Sequence, residues 1–161
     1  MASLTSQPSS QWTGGDFFIL CLFFNILSEI LSMFSHRIWY FIETLNGLVL
    51  TLTSDGIILG HCKREDCRMW SFDEYGLLHS KTGLVAHIPE SSKDTCVRVM
   101  GSRRIHGGDN QRFTYDGGAI RSELNDHVFD VEAGVIETGS PIIMKPHHGG
   151  GSQAFKIIAI L

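Results

Sequence analysis

Apolar residues in positions 38–161 come in short clusters, not long helical stripes. Leu48-Val49-Leu50-Thr51-Leu52, Leu84-Val85-Ala86-His87-Ile88 and His127-Val128-Phe129-Asp130-Val131 are each a run rich in aliphatic and β-branched side chains. Clusters of Gly, Asp and Ser divide such runs roughly every 8–12 residues, the punctuation of short strands joined by turns. Residues 71–76 and 114–118 each read as a strand running into a turn, because Asp and Gly supply the backbone angles a tight turn requires. No stretch of 38–161 has the period of a long amphipathic helix. The pattern predicts an all-β sandwich or barrel.

The pattern also repeats. Arg68-Met69-Trp70, Gln111-Arg112-Phe113 and Gln153-Ala154-Phe155 each set an aromatic two positions after a long polar side chain. Trp70 to Phe113 is 43 positions and Phe113 to Phe155 is 42. His106-Gly107-Gly108-Asp109-Asn110-Gln111 matches His148-Gly149-Gly150-Gly151-Ser152-Gln153 position by position. One supersecondary unit copied three times predicts a closed, pseudo-threefold barrel, with copies at about 38–79, 80–121 and 122–161. Closure removes the strand edges a single unit would expose.

With these motifs in place, the chain resembles the ricin B-type lectin family, whose fold is the β-trefoil and whose repeats carry a Gln-x-Trp motif. The resemblance covers roughly 38–161. The copies at 80–121 and 122–161 match better. The first is degenerate: Arg68 replaces the motif Gln, and its loop is about six residues shorter than that of the third copy.

The resemblance implies one shallow sugar site per copy. Each would have an Asp on the apolar strand, an aromatic platform in the following loop, and Asn-Gln before the motif aromatic. The chemistry is coherent: a carboxylate accepts strong hydrogen bonds from neighbouring hydroxyls. An aromatic face covers the apolar side of a pyranose, and amides reach the same hydroxyls and hold the Asp. In the third copy Asp130 and Gln153 fall on the family positions, and Ser152 stands where Asn is usual. Lys145 occupies the platform position, and His147 or His148 could supply a ring instead. In the second copy, Asn110, Gln111 and His106 are present, but His87 stands at the Asp position. The first copy has Thr51 for Asp and Cys67-Arg68 for Asn-Gln, so it reads as structural.

Each assignment has a plainer competitor. Trp70, Phe113 and Phe155 suit a core. Gln111 and Gln153 could satisfy only the backbone of their loops, and Asp130 could brace a loop. The adjacent His147 and His148 sit in a Gly-rich loop without a third ligand in view, which argues against a metal.

Composition narrows the function classes. A net charge of −4 and a pI near 6.0 argue against nucleic acid as the main partner. Cys21, Cys62, Cys67 and Cys96 have no zinc-type spacing. Cys62 and Cys67 share a loop, where a bridge and free thiols are both open readings. Gly-x-Ser-x-Gly, Gly-Lys-Ser/Thr and His-Glu-x-x-His are all missing, and Asp73-Glu74 would face opposite sides of a strand, so enzyme readings and cofactors find no support.

Residues 1–37 differ in kind: six of the ten Phe residues lie in the first 41 positions. Residues 1–15 are polar and read as disordered. Residues 17–34 are apolar with helical spacing at Ile19, Phe23, Ile26, Ile30 and Met33. Signal, membrane helix, packed helix and non-native extension all stay open, because Glu29 and Asn25 would be expensive in lipid and no clear cleavage site is present. The compartment stays open with them: secreted or membrane-associated if 17–34 is a signal or anchor, otherwise cytoplasmic.

The expectation is a non-catalytic carbohydrate-binding module with glycan partners, galactose-type sugars being the family's preference. Oligomerisation would supply avidity. The alternative is a protein-binding trefoil, an inhibitor or scaffold, whose sugar sites have decayed.

Overall fold

The computed structural model describes residues 37–160. The readings of 1–36, including the apolar segment 17–34, lie outside the described residues. The first copy holds β1 (Tyr40–Thr44), β2 (Leu48–Thr53), β3 (Gly56–His61) and β4 (Trp70–Phe72). The second holds β5 (Leu78–Ser80), β6 (Val85–His87), the short β7 (Val97–Arg98) and β8 (Met100–Ser102), and β9 (Phe113–Asp116). The third holds β10 (Ala119–Ser122), β11 (Val128–Val131), β12 (Ile142–Lys145) and β13 (Phe155–Ala159). The stretches ending at Ser80 and Ser122 are therefore the opening strands of copies two and three.

Six strands close a barrel. β1 pairs with β13 from Tyr40↔Ala159 to Thr44↔Phe155, and with β4 at Tyr40↔Trp70. β4 pairs with β5, and β9 with β10. The remaining two seams are made by equivalent bonds: Phe113 N–H donates to Gly76 O and Phe155 N–H to Gly118 O, each at 2.8 Å. The hairpins β2–β3, β6–β8 and β11–β12 cap one end. They are tied together where Ile57 N–H donates to Val99 O (2.8 Å) and Val99 N–H to Ile142 O (3.0 Å). Opening strands β1, β5 and β10 end on buried hydroxyl residues, Thr44, Ser80 and Ser122. Each hydroxyl accepts a backbone N–H from the turn that follows, from Leu48, Thr82 and Leu124.

Strand alternation explains the core. On β2, β6 and β11 the pairs Leu50/Leu52, Ala86/Ile88 and Phe129/Val131 join one apolar cluster with Trp70, Phe113 and Phe155. Phe113 meets Phe129 edge-to-face at 5.2 Å, and the Trp70 indole N–H donates to Leu50 O at 2.9 Å, so its polar atom is satisfied inside. The three motif aromatics are core residues. Because successive side chains point to opposite faces, Thr51, His87 and Asp130 lie on the other side of the same strands.

The first copy's shortfall is not in the loop before its motif. β2 and β3 are joined by the tight turn at Ser54–Asp55, whereas 132–141 connect β11 to β12. That longer connection holds Ala133 at φ 56°, and the corresponding segment of the second copy holds Glu90 at φ 55°.

Candidate functional site

Each copy lays one 3-10 turn over the outer face of its apolar strand: Asp66–Arg68 over β2, Asp109–Gln111 over β6, and Gly151–Gln153 over β11. Each turn closes the same way, with Met69, Arg112 and Ala154 N–H returning to the carbonyls of Asp66, Asp109 and Gly151 at 3.3, 3.3 and 3.2 Å. In the third copy the last residue of the turn, Gln153, meets Asp130; in the second the middle residue, Asn110, meets His87.

In the third copy this brings three predicted residues together. Asp130 is only 1% exposed. Its Oδ2 accepts from Gln153 Nε2 and from His148 Nε2, both at 3.0 Å. Two donors on a buried carboxylate offset its loss of water. Gln153 also donates to Pro146 O at 3.0 Å, while its Oε1 accepts the N–H groups of His148 (2.8 Å) and Gly149 (3.3 Å). It both braces the loop and holds the Asp. The His148 ring is oriented by its own loop: Gly150 N–H donates to Nδ1 at 3.1 Å. That bond leaves the ring proton on Nε2, where it points at Asp130. The ring keeps this seat only with Gly at 150, since a Cβ there would stand 2.8 Å from His148 Cε1.

The other predicted members of this site make no hydrogen bond to Asp130 among the described residues. Lys145 pairs across the ladder with Val128 and shares the face that carries Asp130, yet among the described residues no ion pair joins the two. His147 turns to a small hollow of about 80 Å³ beside Gly118 and Gly150. Ser152 is half-buried in the 3-10 turn. A second hollow of about 410 Å³ lies under the 132–141 connection. Asp130 lines neither; it is buried, with the half-exposed His148 ring hydrogen-bonded to it.

The second copy repeats the loop with a different centre. His106 Nδ1 accepts Gly108 N–H at 3.1 Å. Gln111 Oε1 accepts His106 and Gly107 N–H at 3.0 and 3.2 Å, and its Nε2 donates to Arg104 O at 2.7 Å. Here Gln111 only braces the loop. Asn110 Nδ2 donates to Ile88 O (3.0 Å) and His87 Nδ1 (3.2 Å), and the His87 and His106 rings meet edge-to-face at 6.2 Å. Burial, then the neighbouring His106, holds His87 below the usual histidine value of 6.5. A neutral imidazole with one nitrogen already engaged offers a sugar far less than a carboxylate does.

In the first copy Thr51 Oγ1 turns back to Val49 O at 3.2 Å, and Arg68 lies 3.1 Å from Glu65. Cys62, Cys67 and Cys96 are free thiols. Asp73 and Glu74 belong to the β4–β5 turn, not to a strand. Asp73 accepts the N–H groups of Tyr75 and Leu77 (3.0 and 2.9 Å) and pairs with His79 Nε2 at 2.7 Å. Sequence reading missed the ring-holding role of Gly108 and Gly150; the identical His-Gly-Gly of the two copies was the available signal.

Solved structures share this architecture. ThreeFoil, a designed threefold-symmetric protein, matches with a TM-score of 0.68 and 19% identity over 76% of this chain and 99% of its own. The fold is a β-trefoil. The C-half of the earthworm R-type lectin, in complex with GalNAc, matches with a TM-score of 0.65 and 20% identity, over 76% of this chain and 99% of that one. A non-toxic homologue of type II RIPs from Momordica charantia, in complex with α-methyl-D-galactoside, matches with a TM-score of 0.64 and 18% identity, over 78% of this chain and 49% of that one. No family model matches the sequence, and no curated protein matches it either.

Proposed function

We propose that the chain is a non-catalytic carbohydrate-binding module that takes a galactose-type sugar at its third copy. The observation that carries this reading is the Asp130–Gln153–His148 constellation on the outer face of β11. A buried carboxylate braced by an amide from the next loop is more than that loop's backbone needs, as the purely bracing Gln111 of the second copy illustrates. The earthworm lectin and the Momordica protein, which share the fold, are seen with GalNAc and a galactoside.

In this reading the His148 ring covers Asp130 in the free protein, and a sugar hydroxyl takes its place on the carboxylate. Two hydrogen bonds orient the ring, a neutral one from Gly150 N–H contributing about 1 kcal/mol net and a charge-assisted one to Asp130 contributing about 1.5–3 kcal/mol, so losing them weakens binding by roughly fivefold and by roughly tenfold or more respectively. Ser152 and Lys145 then reach the outer hydroxyls. With few atoms buried and no aromatic platform, a single site binds on the order of millimolar. Avidity then comes from oligomers or multivalent glycans.

A glycan-array screen of the full chain beside Asp130→Ala tests the proposal. Binding to galactosides that the variant loses supports it. Binding that survives the substitution moves the site elsewhere, and a folded protein silent on every glycan favours the protein-binding alternative.

A further inference from the structure

The β4–β5 turn is one residue longer than its counterpart between β9 and β10. Trp70 pairs with Ser80, ten positions on, and Phe113 with Ser122, nine positions on. The extra length carries Glu74 and Tyr75 out beside β9, and a groove of about 530 Å³ opens between the turn and that strand. Its floor is the seam where Phe113 N–H meets Gly76 O. Gly76 has φ +81°, and a Cβ there would stand 3.3 Å from Phe113 O, so the two backbones can approach.

The walls are aromatic and acidic. Tyr75 is 68% exposed and Tyr115 40%. The Tyr115 hydroxyl donates to Phe155 O at 3.0 Å, which fixes its ring in place. The charged lining residues are Asp73, Glu74 and Glu123, and among the described residues no basic side chain lines the groove. Asp73 is consumed by the turn and by His79. Glu74 takes the Tyr75 hydroxyl, which the hydrogen bond and charge of Glu74 hold above the usual tyrosine value of 10.0. Glu123 has only Arg112 Nη1 at 3.9 Å, too far for a hydrogen bond. Glu123 thus keeps Arg112 as a loose ion pair, and Glu74, beside the exposed tyrosines, has no cation among the described residues.

We propose that this groove receives an arginine side chain of a partner polypeptide, its guanidinium lying on the tyrosine faces and hydrogen-bonded to Glu74 and Glu123. A planar guanidinium stacks on aromatic rings and bonds carboxylates at once, which an ammonium does less well. A neutral sugar would leave Glu74 without a cation and Glu123 with only its loose Arg112 pair. This site is separate from the third copy and does not depend on sugar binding there.

The test is an amide NMR titration of the full chain with the peptide Ac-Gly-Arg-Gly-NH2. Ac-Gly-Gln-Gly-NH2 and lactose serve as controls. The arginine peptide should move the Tyr75, Gly76 and Thr114 amides saturably, and the glutamine peptide should not. The double variant Glu74→Gln/Glu123→Gln, whose changes are on the surface, should bind about tenfold more weakly. Equal shifts with both peptides, or undiminished binding by the double variant, overturn the proposal. Movement of these amides by lactose overturns it too, in favour of a sugar subsite.

Discussion

His148 is held at three points: its N–H by Gln153, its Nδ1 by Gly150 and its Nε2 by Asp130. The family resemblance put Asp130 and Gln153 in one site, and strand alternation sets Asp130 on the outer face of β11. The His148 bond was not legible, because it spans 18 positions through a loop whose course depends on glycine angles. The imidazole, expected as a stacking surface, presents an N–H to Asp130. Gly150→Ala would force the ring off its seat, since the new Cβ stands 2.8 Å from it. Ring ¹⁵N spectra should show the Nε2–H tautomer for His148 in the parent and its loss in the variant. In the second copy, His87 titrates lower folded than unfolded. The unfolded chain therefore binds more protons as pH falls below 6.5 and on through the depressed folded value, and stability drops over that window. His87→Asn should flatten this part of the pH–stability curve, measured as denaturation midpoints beside the parent.

Strands and turns were the most legible elements. The runs at 48–52, 84–88 and 127–131 became β2, β6 and β11, because alternation on a half-buried strand is a local property. Which connection lost residues in the first copy was not, since a deletion in a hairpin and one in a loop leave the same spacing between motifs. Two elements can be probed directly. Burial opposes ionisation of Asp73, but the His79 bond, the Leu77 and Tyr75 N–H groups and the His79 charge outweigh it and hold the carboxyl below 3.8. The stability it brings is present above 3.8 and lost as pH falls through the lower folded value. Asp73→Asn should thus lose stability near neutral pH and be less sensitive to acid, by thermal melts across pH. Ala133 sits at φ 56° in the connection after Asp130. Ala133→Gly relieves that angle and should raise stability by up to about 1 kcal/mol in chemical denaturation.

Threefold repetition set the architecture of the whole molecule, and it was visible from the spacing of three aromatics. Repetition says nothing, however, of which copies keep their chemistry. In the proposed reading that rests on single residues: Thr51, His87 and Asp130 at one position, Arg68, Gln111 and Gln153 at another. Phe113 lies at the centre, 1% exposed and in edge-to-face contact with Phe129. Phe113→Ala should cost about 3–5 kcal/mol in denaturant unfolding, enough to threaten the fold. The most direct test of the account is a lactose titration of the ¹⁵N-labelled full chain. The account predicts saturable shifts of the Gly149 and Gly150 amides and of the Gln153 side chain, with a Kd on the order of millimolar, all absent in Asp130→Ala. Unmoved third-copy signals at about 50 mM lactose, far above such a Kd, would contradict it, as would the same shifts in the variant.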